Sequence, residues 1–306
     1  MNLFDKMKNY SALTEDFMKK HTDSFYENED FAIAKDAVKP LFDSFSYSLF
    51  AGGKRLRPFL VYEFCSLCGG NPEDAVSYAS AIEMVHTSSL IHDDLPCMDN
   101  DDMRRGKPTN HKVFGEDVAL LAGDALFLYA SVIATDNGFN AERNLKAVKL
   151  LSQSAGVTGM IAGQQIDMWT ESNMPDKKIL TLLQEKKTGA LFECACLLGC
   201  IAAGKYEGTP EYSAAKSFAK HAGLAFQITD DVLDVCGNPE ELGKNVGSDE
   251  ANGKTTFATL LGIEGAKVLA SEETGLAKAA LFAFSDTGRG VSSLNELADY
   301  IITRKN

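Results

Sequence analysis

Residues 93–99 read DDLPCMD and residues 100–109 read NDDMRRGKPT, so five carboxylates and two arginines crowd into about a dozen positions. Carboxylates this close repel one another, and the stretch calls for a neutralising partner. The preceding segment, 75–92 (AVSYASAIEMVHTSSLIH), has a helical apolar pattern, and Pro96 ends or distorts that helix just after Asp94. Asp93 and Asp94 therefore fall at a helix C-terminal end, where the helix dipole disfavours anions unless a cation binds. Asp99, beyond the proline, can turn back to complete the site. A second cluster, Asp230-Asp231-Val232-Leu233-Asp234, continues the helical stretch 225–229 (AFQIT). Spacings of three and four put its carboxylates on one helix face. Either cluster alone reads equally well as a solvated acidic face. Two of them flanked by apolar helix point to hard divalent cations, Mg²⁺ above all, which bind through one or two carboxylates and leave positions for water and substrate phosphates.

Basic residues match these acids. The run AGGKRLRP at 51–58 sets Lys54, Arg55 and Arg57 after two glycines, a cationic loop suited to clamping phosphate. Arg104 and Arg105 follow the first acidic cluster directly, and guanidinium groups bind phosphate oxygens bidentately. Further cations stand at Lys186, Lys187, Lys244 and Lys254. The segment around Gly253-Lys254-Thr255 is not a nucleotide-binding P-loop: five residues separate Gly247 from Gly253 where that motif has four, and no strand pattern precedes it. His86 lies seven residues before Asp93, on the same helical face two turns below, where a core histidine is the simpler reading on spacing alone.

Helices must position these residues. From Phe31 to Ile302 apolar residues recur mostly at three- and four-residue intervals, as in 179–203 (ILTLLQEKKTGALFECACLLGCIAA), without sustained two-residue alternation. Breakers fall at Gly69-Gly70-Asn71-Pro72, Asp136-Asn137-Gly138, Asn173-Met174-Pro175, Gly208-Thr209-Pro210 and Gly237-Asn238-Pro239. An all-α fold of about ten helices follows. No linker, low-complexity tract or short repeat divides it, so residues 1–306 are expected to form one domain.

Composition narrows the function classes. With 45% hydrophobic and 24% charged residues the chain can bury a large core. A formal net charge of −13 repels nucleic acid and anionic lipid surfaces alike. The opening MNLFDKMKNY mixes acid and base without an apolar segment, and no later apolar run is long enough to span a membrane, so a soluble cytoplasmic protein is expected. Seven cysteines, an odd number in mostly apolar surroundings, fit reduced core thiols. Cys65 and Cys68 form a C-x-x-C, read as helix packing rather than a zinc or redox site.

Taken together, SYSLFAGGKRLRP, SLIHDDLPCMDNDDMRRGKPTNHKVFGE, LAGDAL, GQQID, KTGALFE, FQITDDVLD, GKNVGSDE and KTTFATLLGIEGAK resemble, in order, the motifs of the trans-isoprenyl diphosphate synthases, the polyprenyl synthetase family. The resemblance implies the isoprenoid synthase fold, a helical bundle around a central cavity, and a magnesium-dependent prenyltransferase acting on isopentenyl diphosphate and allylic diphosphates. It implies that Asp93, Asp99 and Asp230 are metal ligands, with three ions per site, supported by Asp94, Asp231 and Asp234. Lys54, Arg57, His86 and Arg105 resemble the isopentenyl diphosphate pocket. Arg104, Lys187, Thr188, Gln227, Lys244 and Lys254 resemble contacts to the allylic diphosphate. The family is usually homodimeric.

Family members set product length with the residues four and five before the first aspartate, here Ser89 and Ser88, about one helical turn (~6 Å to ~8 Å) deeper. Both are small, where bacterial farnesyl-forming members commonly carry tyrosine at the position of Ser88. The resemblance therefore implies growth to twenty carbons, geranylgeranyl diphosphate, with farnesyl diphosphate as the alternative. A terpene cyclase has no need of AGGKRLRP or the Arg104-Arg105 pair. A non-catalytic regulatory subunit would usually lose acidic-motif residues that are intact here.

Overall fold

The stretch ahead of the first aspartates is apolar on nearly every side, the pattern of a helix with no solvent face. In the computed structural model, which describes residues 2–236, 255–287 and 290–304, it forms α4 (Val76–Asp93), with Ser77 through Val85 all buried. Its neighbours share that character. α3 (Leu56–Leu67) is buried from Pro58 to Cys65, and α10 (Ala190–Ala202) buries Leu191, Phe192 and every residue from Cys194 to Ala202. α3 and α10 cross closely because Gly199 has no side chain: a Cβ there would lie 2.4 Å from the Val61 carbonyl oxygen.

Around these helices stand α1 (Leu3–Asp23), α2 (Lys35–Leu49), α5 (Asn110–Phe114), α6 (Glu116–Ile133), α7 (Ala141–Ala155), α8 (Met160–Thr170), α9 (Lys177–Gln184), α11 (Pro210–Cys236), α12 (Phe257–Ala280) and α13 (Ser292–Thr303). α6 lies on α4, α12 lies along α11, and one apolar core runs from Leu3 of α1 to Ile301 of α13. The all-α expectation holds, and breakers at Gly69–Pro72, Asp136–Gly138, Asn173–Pro175 and Gly208–Pro210 fall between helices. Gly237-Asn238-Pro239, Lys244 and Lys254 lie outside the described residues. No described helix is long and apolar enough to cross a membrane.

Two local elements depart from the expected pattern. Met103–Arg104 and Lys107–Pro108 pair as a short antiparallel hairpin, with Arg105 and Gly106 at positive φ in its turn. The helical stretch 179–203 contains a π-helical turn at Glu185–Gly189, between α9 and α10. The apolar spacing on either side disguises the extra residue such a turn inserts.

Candidate active site

α4 stops at Asp93, with Asp94 as its C-cap, and Pro96 sends the chain into a reversal. Asp99 N–H donates to the Asp93 carbonyl at 2.9 Å, and Asn100, at φ 53°, donates to the Leu95 carbonyl at 3.1 Å. The loop thus folds Asp99 back beside Asp93, as its position after the proline suggests. Asp93 remains half-buried and Asp99 exposed, whereas Asp94 is only 2% exposed and accepts from Arg104 at 2.6 Å. Arg104 also reaches Asp101 at 3.3 Å. Burial raises the Asp94 carboxyl from 3.8 to about 6, against the opposing pull of Arg104.

The second cluster divides the same way. Asp230 is half-buried, while Asp231 and Asp234 are 3% and 2% exposed. Asp231 accepts from the Phe257 N–H at 2.9 Å, binding the first turn of α12, and from Gln227 at 3.3 Å one turn earlier on α11. Asp230 accepts from Arg304 at 2.8 Å.

The π-helical turn joins the two clusters. Lys187 donates to Asp167 of α8 at 2.6 Å, and its ammonium works against the burial that raises the Asp93 carboxyl. Thr188, the next residue, donates to Gln227 at 3.0 Å. A continuous set of groups therefore runs from Asp93 past Lys187 and Thr188 to Gln227 and Asp231. Gly163 permits this approach, since a Cβ there would lie 2.1 Å from the Lys187 backbone nitrogen. Asp167 belongs to the GQQID motif but was not among the expected site residues. Its partner is twenty positions away, beyond what local charge patterning reveals.

The cationic loop also assembles, with a change of roles. Gly52 and Gly53 adopt φ values of 89° and 127°, and Arg105 donates to the Gly52 carbonyl across the bare Gly53. Arg57 lies 5.5 Å from the Phe192 ring, and its Nε is buried without a hydrogen bond. Burial lowers its guanidinium to about 10, with Arg105 adding to the effect and Glu83 opposing it. His86 is held well below its ordinary value by burial and by Arg57, Arg105, Arg104 and Arg55, so it is a neutral imidazole. Lys54 is exposed above the Tyr300 ring at 5.4 Å. Arg55, which the sequence groups with the phosphate clamp, is turned inward: it pairs with Glu83 at 2.7 Å and Glu15 at 2.9 Å and donates to the Leu49 carbonyl at 2.6 Å. Arg57, His86 and Arg105 thus lie close enough to act on one another's charge, with the buried Glu83 carboxylate opposing the burial of both arginines, whereas Lys54 stands apart over Tyr300.

Ser88 is 1% exposed inside α4, and Ser89 donates to the His86 carbonyl at 2.9 Å. Cys65 and Cys68 are buried in helix packing as expected, with Cys68 Sγ 3.6 Å from Cys200 of α10. Among the described residues no three acidic, histidine or cysteine side chains converge as a metal cage. Paired carboxylates beside cations fit magnesium shared with a diphosphate better than an all-protein cage.

A helical bundle whose buried aspartates back two accessible acidic faces, beside clustered arginines, has the form of an enzyme that handles diphosphates. The profile of the polyprenyl synthetase family matches residues 38–279, and the chain belongs to that family of prenyltransferases. It is 46% identical over 281 residues to a chloroplastic geranylgeranyl pyrophosphate synthase of Capsicum annuum, covering 90% of this chain and 75% of that one. An FPP/GFPP synthase structure from Zymomonas mobilis superposes with TM-score 0.78 at 34% identity, covering 97% and 100% of the two chains. A geranyltransferase from Helicobacter pylori, complexed with magnesium and isoprenyl diphosphate, gives 0.76 at 30% identity, covering 97% and 96%.

Proposed function

We propose that this chain condenses isopentenyl diphosphate with dimethylallyl, geranyl and farnesyl diphosphates, with geranylgeranyl diphosphate as the main product. The observation that carries the reading is the split in both acidic clusters: Asp93, Asp99 and Asp230 are accessible, while Asp94, Asp231 and Asp234 are buried. The accessible three would hold magnesium, with three ions per site still the expectation drawn from the resemblance. Bound there, the metal would neutralise the allylic diphosphate as it departs.

The chain's own groups account for the rest. Lys187, released from Asp167, and Arg104 would bind the departing diphosphate oxygens. Thr188 and Gln227 would orient it, with Lys244 and Lys254 as further proposed contacts. Lys54, Arg57 and Arg105 would fix the second diphosphate, and neutral His86 can donate a ring N–H to it without adding charge. The allylic carbon–oxygen bond breaks, the isopentenyl double bond attacks the carbon left electron-poor, and a proton leaves to the released diphosphate. The apolar walls of α4 and its neighbours exclude water during this interval.

The small side chains of buried Ser88 and half-buried Ser89 support growth past fifteen carbons along α4, and the Capsicum relative carries the same product in its name. The name of the Zymomonas neighbour favours farnesyl diphosphate as the second reading. The chain is proposed to form one domain, supported by the core that joins α1 to α13, and a homodimer, supported by an exposed apolar stripe on α6. A reducing compartment, the cytoplasm, is proposed from the apolar settings of most of the seven cysteines.

Purified protein given Mg²⁺, dimethylallyl diphosphate and isopentenyl diphosphate is expected to yield a twenty-carbon prenyl diphosphate by chromatography. A dominant fifteen-carbon product would overturn the length assignment and leave the enzyme class standing. Asp93→Ala and Asp230→Ala are each expected to lower turnover on the order of a hundredfold or more with helicity retained. Wild-type rates in either would remove that residue from the metal site.

A further inference from the structure

At the end of α13 one side chain turns back into the molecule. Arg304, the C-cap of that helix, has extended backbone (φ −63°, ψ 154°) and a side chain only 5% exposed. Its Nη2 donates to Asp230 Oδ1 at 2.8 Å and to the Phe226 carbonyl at 3.0 Å, and its guanidinium sits 3.8 Å from the Phe226 ring centroid. Asp230 keeps 36% of its side chain exposed under this contact. The fit is incomplete, because Arg304 Nε is buried without a hydrogen-bond partner. An orphaned buried donor weakens the docked state relative to a released one.

We propose that Arg304 is a stand-in cation, holding the Asp230 carboxylate in place until metal and diphosphate arrive and leaving it when they do. The proposal rests on the reading of Asp230 as a metal ligand. Two positive charges on one carboxylate oxygen repel each other, so a divalent ion and a guanidinium compete for Oδ1. The bound arginine keeps a carboxylate on α11 from pairing with the wrong cation, and its displacement opposes metal binding. Metal loading is thereby coupled to the docking of Arg304, a linkage that acts in both directions. The ring of Phe226 favours arginine over lysine at this position, because a planar guanidinium both stacks and donates.

The test uses the full chain. Isothermal titration of Mg²⁺ into protein saturated with a thiolo analogue of dimethylallyl diphosphate, which does not ionise, compares wild type, Arg304→Ala and Arg304→Lys. Competition predicts a midpoint about two- to fivefold lower in Arg304→Ala, the range that an exchanged ion pair of this kind is worth. Arg304→Lys is expected to fall between the two. An unchanged or higher midpoint in both variants overturns the proposal. Denaturant unfolding of the metal-free protein supplies a second measurement. In a cycle of Arg304→Ala and Asp230→Asn, the double variant should lose less stability than the sum of the singles, and additive losses count against the contact. If Asp230→Asn leaves the magnesium response untouched, the metal-ligand reading is what fails. If Asp230→Asn abolishes the response while Arg304→Ala leaves the midpoint at the wild-type value, the stand-in role fails alone.

Discussion

A carboxylate's surroundings decide whether it can ligate a metal or must serve the fold, and Asp94 shows how far burial shifts that balance. Its ordinary value of 3.8 rises to about 6 in the folded chain because desolvation outweighs Arg104. Between those values the native state holds a proton that the unfolded chain has released. The associated stability is fully present below about pH 4 and is lost as pH rises through about 6. Asp94→Asn removes this titration, so between pH 4 and 7 the metal-free variant should lose up to about 3 kcal/mol less unfolding free energy than wild type. Denaturant curves at a series of pH values check it, and parallel pH profiles would refute it. Ser88 offers a separate test. A tyrosine in its 1%-exposed position fills the space below the aspartates, and Ser88→Tyr should shift the main product from twenty carbons to fifteen. An unchanged product distribution would move the floor of the cavity to another helix. Much of this residue-level picture was legible in the sequence, because charge and spacing alone mark the two acidic clusters and the basic loop. The inward turn of Arg55 was not: its partners Glu15 and Glu83 lie forty positions upstream and twenty-eight downstream, and only tertiary structure unites them.

Among the elements, the π-helical turn at Glu185–Gly189 does most to join the two acidic clusters, and it depends on Gly163 across from it. A Cβ at that position would meet three backbone atoms of Lys186 and Lys187 at 2.1–2.7 Å, none of which can move as a side-chain end can. Gly163→Ala is therefore expected to push α8 away from the turn, at about 1–3 kcal/mol of stability. Displacing Lys187 and Thr188 by even an ångström should lower turnover on the order of a hundredfold. Gly275→Ala in α12 is the control, because nothing lies within 4 Å of the added atom and a helical alanine is favoured by about 1 kcal/mol. Circular dichroism, denaturation and product formation on both variants decide the matter; equal activity in the two would show that the turn tolerates displacement. Helices and their breaks were readable from apolar period and from glycine, asparagine and proline. The π turn was not, since an extra residue between two well-patterned helices leaves no compositional trace. The 103–108 hairpin was equally hidden, its two-residue strands being too short to show alternation.

For the molecule as a whole, α6 poses the remaining question, because it is apolar on both sides yet only one side is covered. Ala119, Ala122, Leu126, Ala130 and Ile133 face the core. Leu121, Leu128 and Val132, at intervals of seven and four, are 56%, 71% and 56% exposed along the opposite face, with exposed Asp124 at its margin. A helix apolar all round is stable in water only when both faces are buried. An outward apolar stripe of this kind marks an association surface. With a net charge of −13 the molecule repels its own copies at long range, so self-association must draw on a short-range apolar contact such as this one. Two copies meeting across α6 would bury the stripe isologously, each leucine row against its own image. That contact would also brace the side of α4 that carries Ser88, since α6 lies directly on α4. Leu128→Asp places a charge in the middle of the stripe without touching the core face. Sedimentation should then show a wild-type dimer and a variant monomer at the same micromolar concentration, with helicity unchanged. A variant that remains dimeric would place the interface on another surface, and a wild-type monomer would leave the stripe for a different partner.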